Sequence, residues 1–247
     1  MNQLEAFQAA AREQDLPHDV VDWCLGQARP CLDLRRSGTG PAVGYFGGRP
    51  ALPAGIAWPA DTALHLASID LAAIPRGALD LGLPDDGTLL FFAQADNLCR
   101  HGKVIHVPAG TPVTEAEPPD AGQAVYDRFP LYGHPRLCIP ESYDNGELDE
   151  EVLNALDDIV WDLEYDTEHD DDKVVTLGGY GYANTGGLGI PVRSFTTEAL
   201  LAEFFLSEDE VGEDFETDLA TVFYVIARDD LSAHRFDRLT VATDFHG

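Results

Sequence analysis

The side chains able to do chemistry are scattered, and none stands at a spacing that a reaction requires. Eight histidines occur, without a His-Glu-x-x-His or His-x-His arrangement. His101 and His106 are five residues apart, a spacing that turns them to opposite faces of a strand. None of the six serines sits in a Gly-x-Ser-x-Gly elbow. Cys24, Cys31, Cys99 and Cys138 form no Cys-x-x-Cys pair and no finger spacing, so they read as reduced, partly buried thiols, with structural zinc or a disulfide as the alternatives. The sequence assigns no catalytic residue, no metal and no cofactor.

Two glycine-rich stretches stand out. The first, Gly44 to Ala60, combines Gly47-Gly48 with Pro50, Pro53 and Pro59. The prolines forbid a helix. Phe46, Leu52, Ile56 and Trp58 carry enough apolar area to fasten the stretch to a core as an ordered loop. The second, Gly178 to Gly189, lacks both the Rossmann glycine order and a following P-loop lysine. A pocket for an uncharged ligand could lie between the two, lined by Trp58, Tyr180, Tyr182 and Asn184.

The acids are concentrated. The 247-residue chain has a net charge of −29, and Glu141 to Asp172 holds 15 Asp and Glu with no Lys or Arg. That charge argues against nucleic acid and against anionic membrane surfaces. Leu148, Val152, Leu156, Ile159 and Leu163 recur at helical spacing, so the block predicts an amphipathic helix with acids on its other faces. Rigid negative charge suits a basic protein partner. Glu147, Asp157, Asp158, Asp162, Asp170, Asp171 and Asp172 are the residues expected to meet it. Asp144-Asn145-Gly146 does not follow EF-hand spacing.

The elements that must position these residues read as follows. Leu4 to Leu25, broken by Pro17, predicts an N-terminal helical pair. Cys31 to Arg36 alternates like a half-exposed strand. His65 to Leu71, Lys103 to Val107, Val174 to Leu177, Ala220 to Ala227 and Arg238 to Asp244 read as further strands. Thr88 to Ala93 is the most apolar of all and reads as central. Thr197 to Phe205 starts like a capped helix, with a strand through Leu200 to Leu206 as the competing reading. No apolar run is long enough to span a membrane and no secretory leader is visible, so a cytoplasmic protein is expected.

Several segments resemble one family in the right order. Gly44-Tyr45-Phe46-Gly47-Gly48-Arg49-Pro50 with Leu52-Pro53 and Trp58-Pro59, then Leu66 to Leu71, then Leu83-Pro84, Gly87, Leu89 and Phe91-Phe92 are similar to YwqG-like proteins, a bacterial domain of unknown function. Leu177 to Tyr180 and Phe223 to Ile226 with Asp230-Leu231 and Phe236 continue the likeness to about Asp244. Ser68 stands where the family usually has glutamine, and Gly181 where it has proline. The resemblance brings no activity. It implies a mixed α+β, strand-dominated fold, and some members neighbour toxin and immunity genes.

The expected architecture is therefore α+β, with largely antiparallel twisted sheet. Residues 1–30 form a helical extension, and residues 31–247 a single domain with an acidic helical insertion at about 141–172. Both halves run from a glycine loop to an apolar strand, which permits a remote duplication. Function is expected to be non-catalytic binding of a basic protein through the acidic surface, immunity-like by association; the alternative is a small-ligand binder or enzyme using the pocket between the glycine loops.

Overall fold

The computed structural model describes residues 3–59, 64–94, 101–119, 125–139, 149–164, 172–181, 196–207 and 219–246. The strands are β1 (Arg29–Arg35), β2 (Ala42–Phe46), β3 (Ala51–Pro53), β4 (Leu64–Asp70), β5 (Thr88–Ala93), β6 (Gly102–Val107), β7 (Val113–Glu115), β8 (Phe129–Cys138), β9 (Lys173–Gly178), β10 (Glu198–Ser207), β11 (Leu219–Ala227) and β12 (Thr240–His246). The helices are α1 (Gln3–Glu13), α2 (His18–Gln27), α3 (Glu150–Glu164) and the short α4 (Arg228–Ser232). Ten strands make one sheet in the order β12-β11-β10-β9-β1-β8-β2-β4-β5-β6, and β3 pairs with β7 beside it. Every pairing is antiparallel. The fold is thus α+β and strand-dominated.

The sheet curls until its two ends meet. Phe91 of β5 lies 5.3 Å from Phe204 of β10 and 5.2 Å from Tyr224 of β11, centroid to centroid. The Tyr224 hydroxyl donates to the Phe92 carbonyl at 2.9 Å. These strands stand ninth, third and second in the order, so only accumulated right-handed twist can bring them together. The edge strands also approach. A Cβ on Gly102 of β6 would fall 2.6 Å from Val241 of β12. Leu32, Leu34, Val175, Leu177, Val222 and Leu131 fill the enclosed face. Each such side chain contributes about 1.5–3 kcal/mol of burial.

Three expectations change. β1 is not half-exposed. It is flanked by β8 and β9, and Cys31, Leu32, Asp33 and Leu34 are all buried. β5 is the penultimate strand rather than a central one. It is apolar on both faces because the curl covers one and the Trp58 loop covers the other. Residues from Glu198 form strand β10, not a capped helix. Ala199 to Ala202 are all buried beside β11, and the register with β11 shifts between Leu200 and Ala202, which breaks the strict alternation expected of a strand. Sheet pairing outweighs the local cap signal.

Helices α1, α2 and α3 form one layer. Phe7 and Ala11 of α1, Val20 and Cys24 of α2, and Leu156, Ile159 and Val160 of α3 share a small core with Ile139. The Leu137 amide donates to the Gln3 side-chain oxygen at 2.8 Å, which fastens α1 to β8. The N-terminal pair and the acidic helix, distant in sequence, are therefore packing partners.

Candidate functional site

The apolar stripe of α3 decides which way its acids point. With Leu156, Ile159 and Val160 inward, Asp157, Asp158 and Asp162 face solvent together with Glu150 and Glu151. In their midst Trp161 is 43% exposed. It lies four residues from Asp157 and three from Asp158, the spacings at which helical side chains are neighbours. Partial burial, and then the Asp158 carboxylate beside it, push the Asp157 carboxyl above its usual range. No basic side chain stands in the last turn, so the acids there oppose the negative end of the helix dipole. The face combines a large aromatic with unbalanced negative charge on a rigid support.

Asp172 is placed elsewhere. Its carboxylate accepts from the Ser37 amide at 3.2 Å and from the Ser37 hydroxyl, and its carbonyl accepts from the Arg36 amide at 2.9 Å. It ties the start of β9 to the turn after β1 and is not on the α3 face. Glu147, Asp170 and Asp171 lie outside the described residues.

The first glycine loop is anchored by Trp58, which packs with Leu52, Leu90, Phe92 and Val107. Its ring meets His65 and Phe92 edge-on, with centroids 6.2 and 5.9 Å away. Gly47 has φ +62°, and a Cβ there would strike the Asp127 carbonyl at 2.4 Å, so only glycine fits. Beneath the loop His65 Nδ1 is 3.1 Å from the Gly48 carbonyl and its Nε2 is 3.2 Å from the Ser68 hydroxyl. Sequence reasoning missed this pair. Three residues apart, the two would point to opposite faces of a regular strand, but a register shift between His65 and Ala67 realigns them. Burial drives the His65 pKa down to about 4, so the ring is neutral and a weak base near pH 7. The amides of Gly47 and Gly48 already donate to the carbonyls of Leu66 and Tyr126. The arrangement is that of a hydrogen-bonded core histidine.

Tyr180 belongs to another neighbourhood. Its hydroxyl donates to the Gln27 carbonyl and accepts from Arg29 Nε at 3.2 Å, with the Arg29 guanidinium 5.4 Å from the ring centroid. Three strands, β1, β8 and β2, separate β9, after which Tyr180 comes, from β4, against which Trp58 packs. Tyr182 and Asn184 lie outside the described residues.

A third cluster was not anticipated. Asp33 is buried on the outer face of β1. It accepts from Arg136 Nε at 2.8 Å and from the Thr176 hydroxyl at 2.9 Å, with Arg35 Nη2 3.6 Å away. Burial raises its pKa, but the charges of Arg136 and Lys173 and these hydrogen bonds outweigh it and hold the carboxyl below the usual range. Register continues the row, Asp33 beside Thr176 and Thr176 beside Glu203, itself buried. The visible signal was a charged residue between two buried leucines in Leu32-Asp33-Leu34, which only a partner across the sheet can satisfy. Among the described residues no three His, Cys, Asp or Glu side chains gather as a metal site, and no helix is long and apolar enough to cross a membrane.

Residues 45–244 match a family described as Domain of unknown function (DUF1963). The chain belongs to this family. No curated protein matches it. The DUF1963 span opens inside β2, so α1, α2 and the buried strand β1 precede it. Asp33 and Cys31 thus bring charged and thiol groups from outside the matched span into the middle of the DUF1963 sheet. The anchored loop at Trp58 and the acidic helix α3 lie within it.

Proposed function

We propose that this DUF1963 protein is a non-catalytic binding protein that engages a basic protein through the exposed face of α3. The observation that carries this reading is Trp161, exposed among Asp157, Asp158 and Asp162 on a helix whose opposite face is locked into the core. Tryptophan is, with tyrosine and arginine, enriched among binding hot spots. A cationic side chain laid over its ring gains cation–π attraction while neutralising the carboxylates around it. A cationic partner also relieves the repulsion between Asp157 and Asp158. The charge of −29 steers basic proteins toward the molecule and others away. A cytoplasmic location, bacterial origin within the YwqG-like group and an immunity-like role fit the same reading.

The pocket reading has less support. Trp58 is 6% exposed and its ring is occupied by its own neighbours.

A photo-crosslinking amino acid in place of exposed Asn154, seven residues before Trp161 on the same helix face, tests the proposal in cells that produce the protein. The expected result is a crosslink to one basic protein, lost on Asp157→Lys with Asp158→Lys and absent when the probe replaces exposed Val113. Equal crosslinking from both positions, or none from 154, overturns it.

A further inference from the structure

We infer that Cys31 and Cys138 are a modification site, a dithiol that oxidises reversibly to a disulfide bridging β1 and β8. The Cys138 thiol points at Cys31 with the two sulfurs 2.8 Å apart. That is only about 0.8 Å beyond a covalent S–S bond. The two residues are diagonal neighbours, since Cys31 stands opposite Arg136 and Cys138 opposite Arg29. Gly179 makes the room. A Cβ on it would lie 2.5 Å from the Cys138 sulfur and 3.3 Å from the Cys31 Cβ. Its φ of +76° independently favours glycine. A thiol held this close to its partner reacts as though at very high local concentration.

The other cysteines do not share this. Cys24 is buried in the helical core among Phe7, Val20 and Ile139, and burial pushes its thiol up to about 11, leaving almost no thiolate near pH 7. Cys99 lies outside the described residues.

With hydrogen peroxide as oxidant, one sulfur attacks the peroxide, the O–O bond breaks, and a sulfenic acid and water form. Cys138, at 4% exposure against 0% for Cys31, is the sulfur a small oxidant reaches first. The Cys31 sulfur then attacks the sulfenic sulfur, the S–S bond forms, and a second water leaves. The pair loses two electrons and two protons, and the peroxide is reduced to two waters. A small disulfide can serve instead through exchange.

The bridge stands where the helical layer joins the sheet. α2 ends at Gln27, just before β1, and Ile139, next to Cys138, packs into the helical core. Oxidation therefore clips together residues 107 apart in sequence at the root of the layer that carries Trp161. Closing so long a loop is expected to raise Tm by on the order of 10 °C.

The full chain is treated with peroxide while native, then unfolded, alkylated and mapped by mass spectrometry. The expected result is a mass lower by two hydrogens, a linked peptide pair containing Cys31 and Cys138, a raised Tm, and reversal of all three by dithiothreitol. In Cys31→Ala, Cys138 is expected to stop at a sulfenic acid that dimedone traps. Both thiols remaining alkylatable in the wild type, or a crosslink through Cys24 or Cys99 instead, overturns the inference even if the variants fail to fold.

Discussion

His65 accepts a hydrogen bond from the Ser68 hydroxyl on one side of its ring and donates to the Gly48 carbonyl on the other, at 3.2 and 3.1 Å. Only the bond accepted from Ser68 needs the neutral ring; the bond to Gly48 survives protonation, and burial is what opposes the charged form. Burial lowers its pKa to about 4 from an unfolded value of 6.5. Between these values the unfolded chain binds the proton and the folded chain does not. The stabilisation is complete above pH 6.5 and is lost as pH falls toward 4, by up to about 3 kcal/mol. Urea unfolding from pH 7.5 to 4.5 should show this decline in the wild type and a flatter profile in His65→Gln. Parallel profiles would contradict it.

Trp58→Ala should cost about 3–5 kcal/mol, because removing the ring leaves a void between His65, Phe92 and Leu90. Thermal melts read this directly. An unchanged Tm would show that the loop is not held by Trp58.

Asp33→Ala should cost about 3–5 kcal/mol by removing the buried carboxylate on which Arg136, Arg35 and the Thr176 hydroxyl converge. Asp33→Ala with Arg136→Met should recover a large part. If the double variant is as unstable as the sum of the singles, measured by denaturant midpoint, the pair is not coupled.

Asp157→Asn should stabilise the protein by about 0.2–0.5 kcal/mol at pH 7, a gain limited by solvent screening. The raised Asp157 pKa means the folded state holds that proton more tightly than the unfolded chain. Its effect on stability therefore worsens as pH rises through the window above 3.8, and asparagine removes the penalty. A loss of Tm at pH 7 would refute this.

Much of the fold was legible because periodicity reports burial. The stripe through Val152, Leu156, Ile159 and Leu163 gave α3, and Pro17 gave the break between α1 and α2. What local patterns could not carry was order and curvature. β5 looks central because both its faces are apolar, yet its second cover is a loop and its first is the far end of its own sheet. β10 is buried on both faces, so its apolar run imitates a helix start. The acidic face was readable, including Asp157, Asp158 and Asp162, but Asp172 follows the turn at Ser37, and Trp161 gains its meaning only from the exposure the fold gives it. The pairs His65–Ser68, Asp33–Arg136 and Cys31–Cys138 depend on a bulge or on cross-strand register, neither of which spacing along the chain encodes.

The most direct test of the proposed docking face is an NMR titration with a basic amphipathic peptide of Arg, Lys and Leu at physiological salt. The acidic-face account predicts that the Trp161 indole N–H and the amides of residues 154–162 shift first and furthest, and that Asp157→Lys with Asp158→Lys abolishes the response. Shifts spread evenly over the acidic surface, with the Trp161 indole signal unmoved, would contradict it.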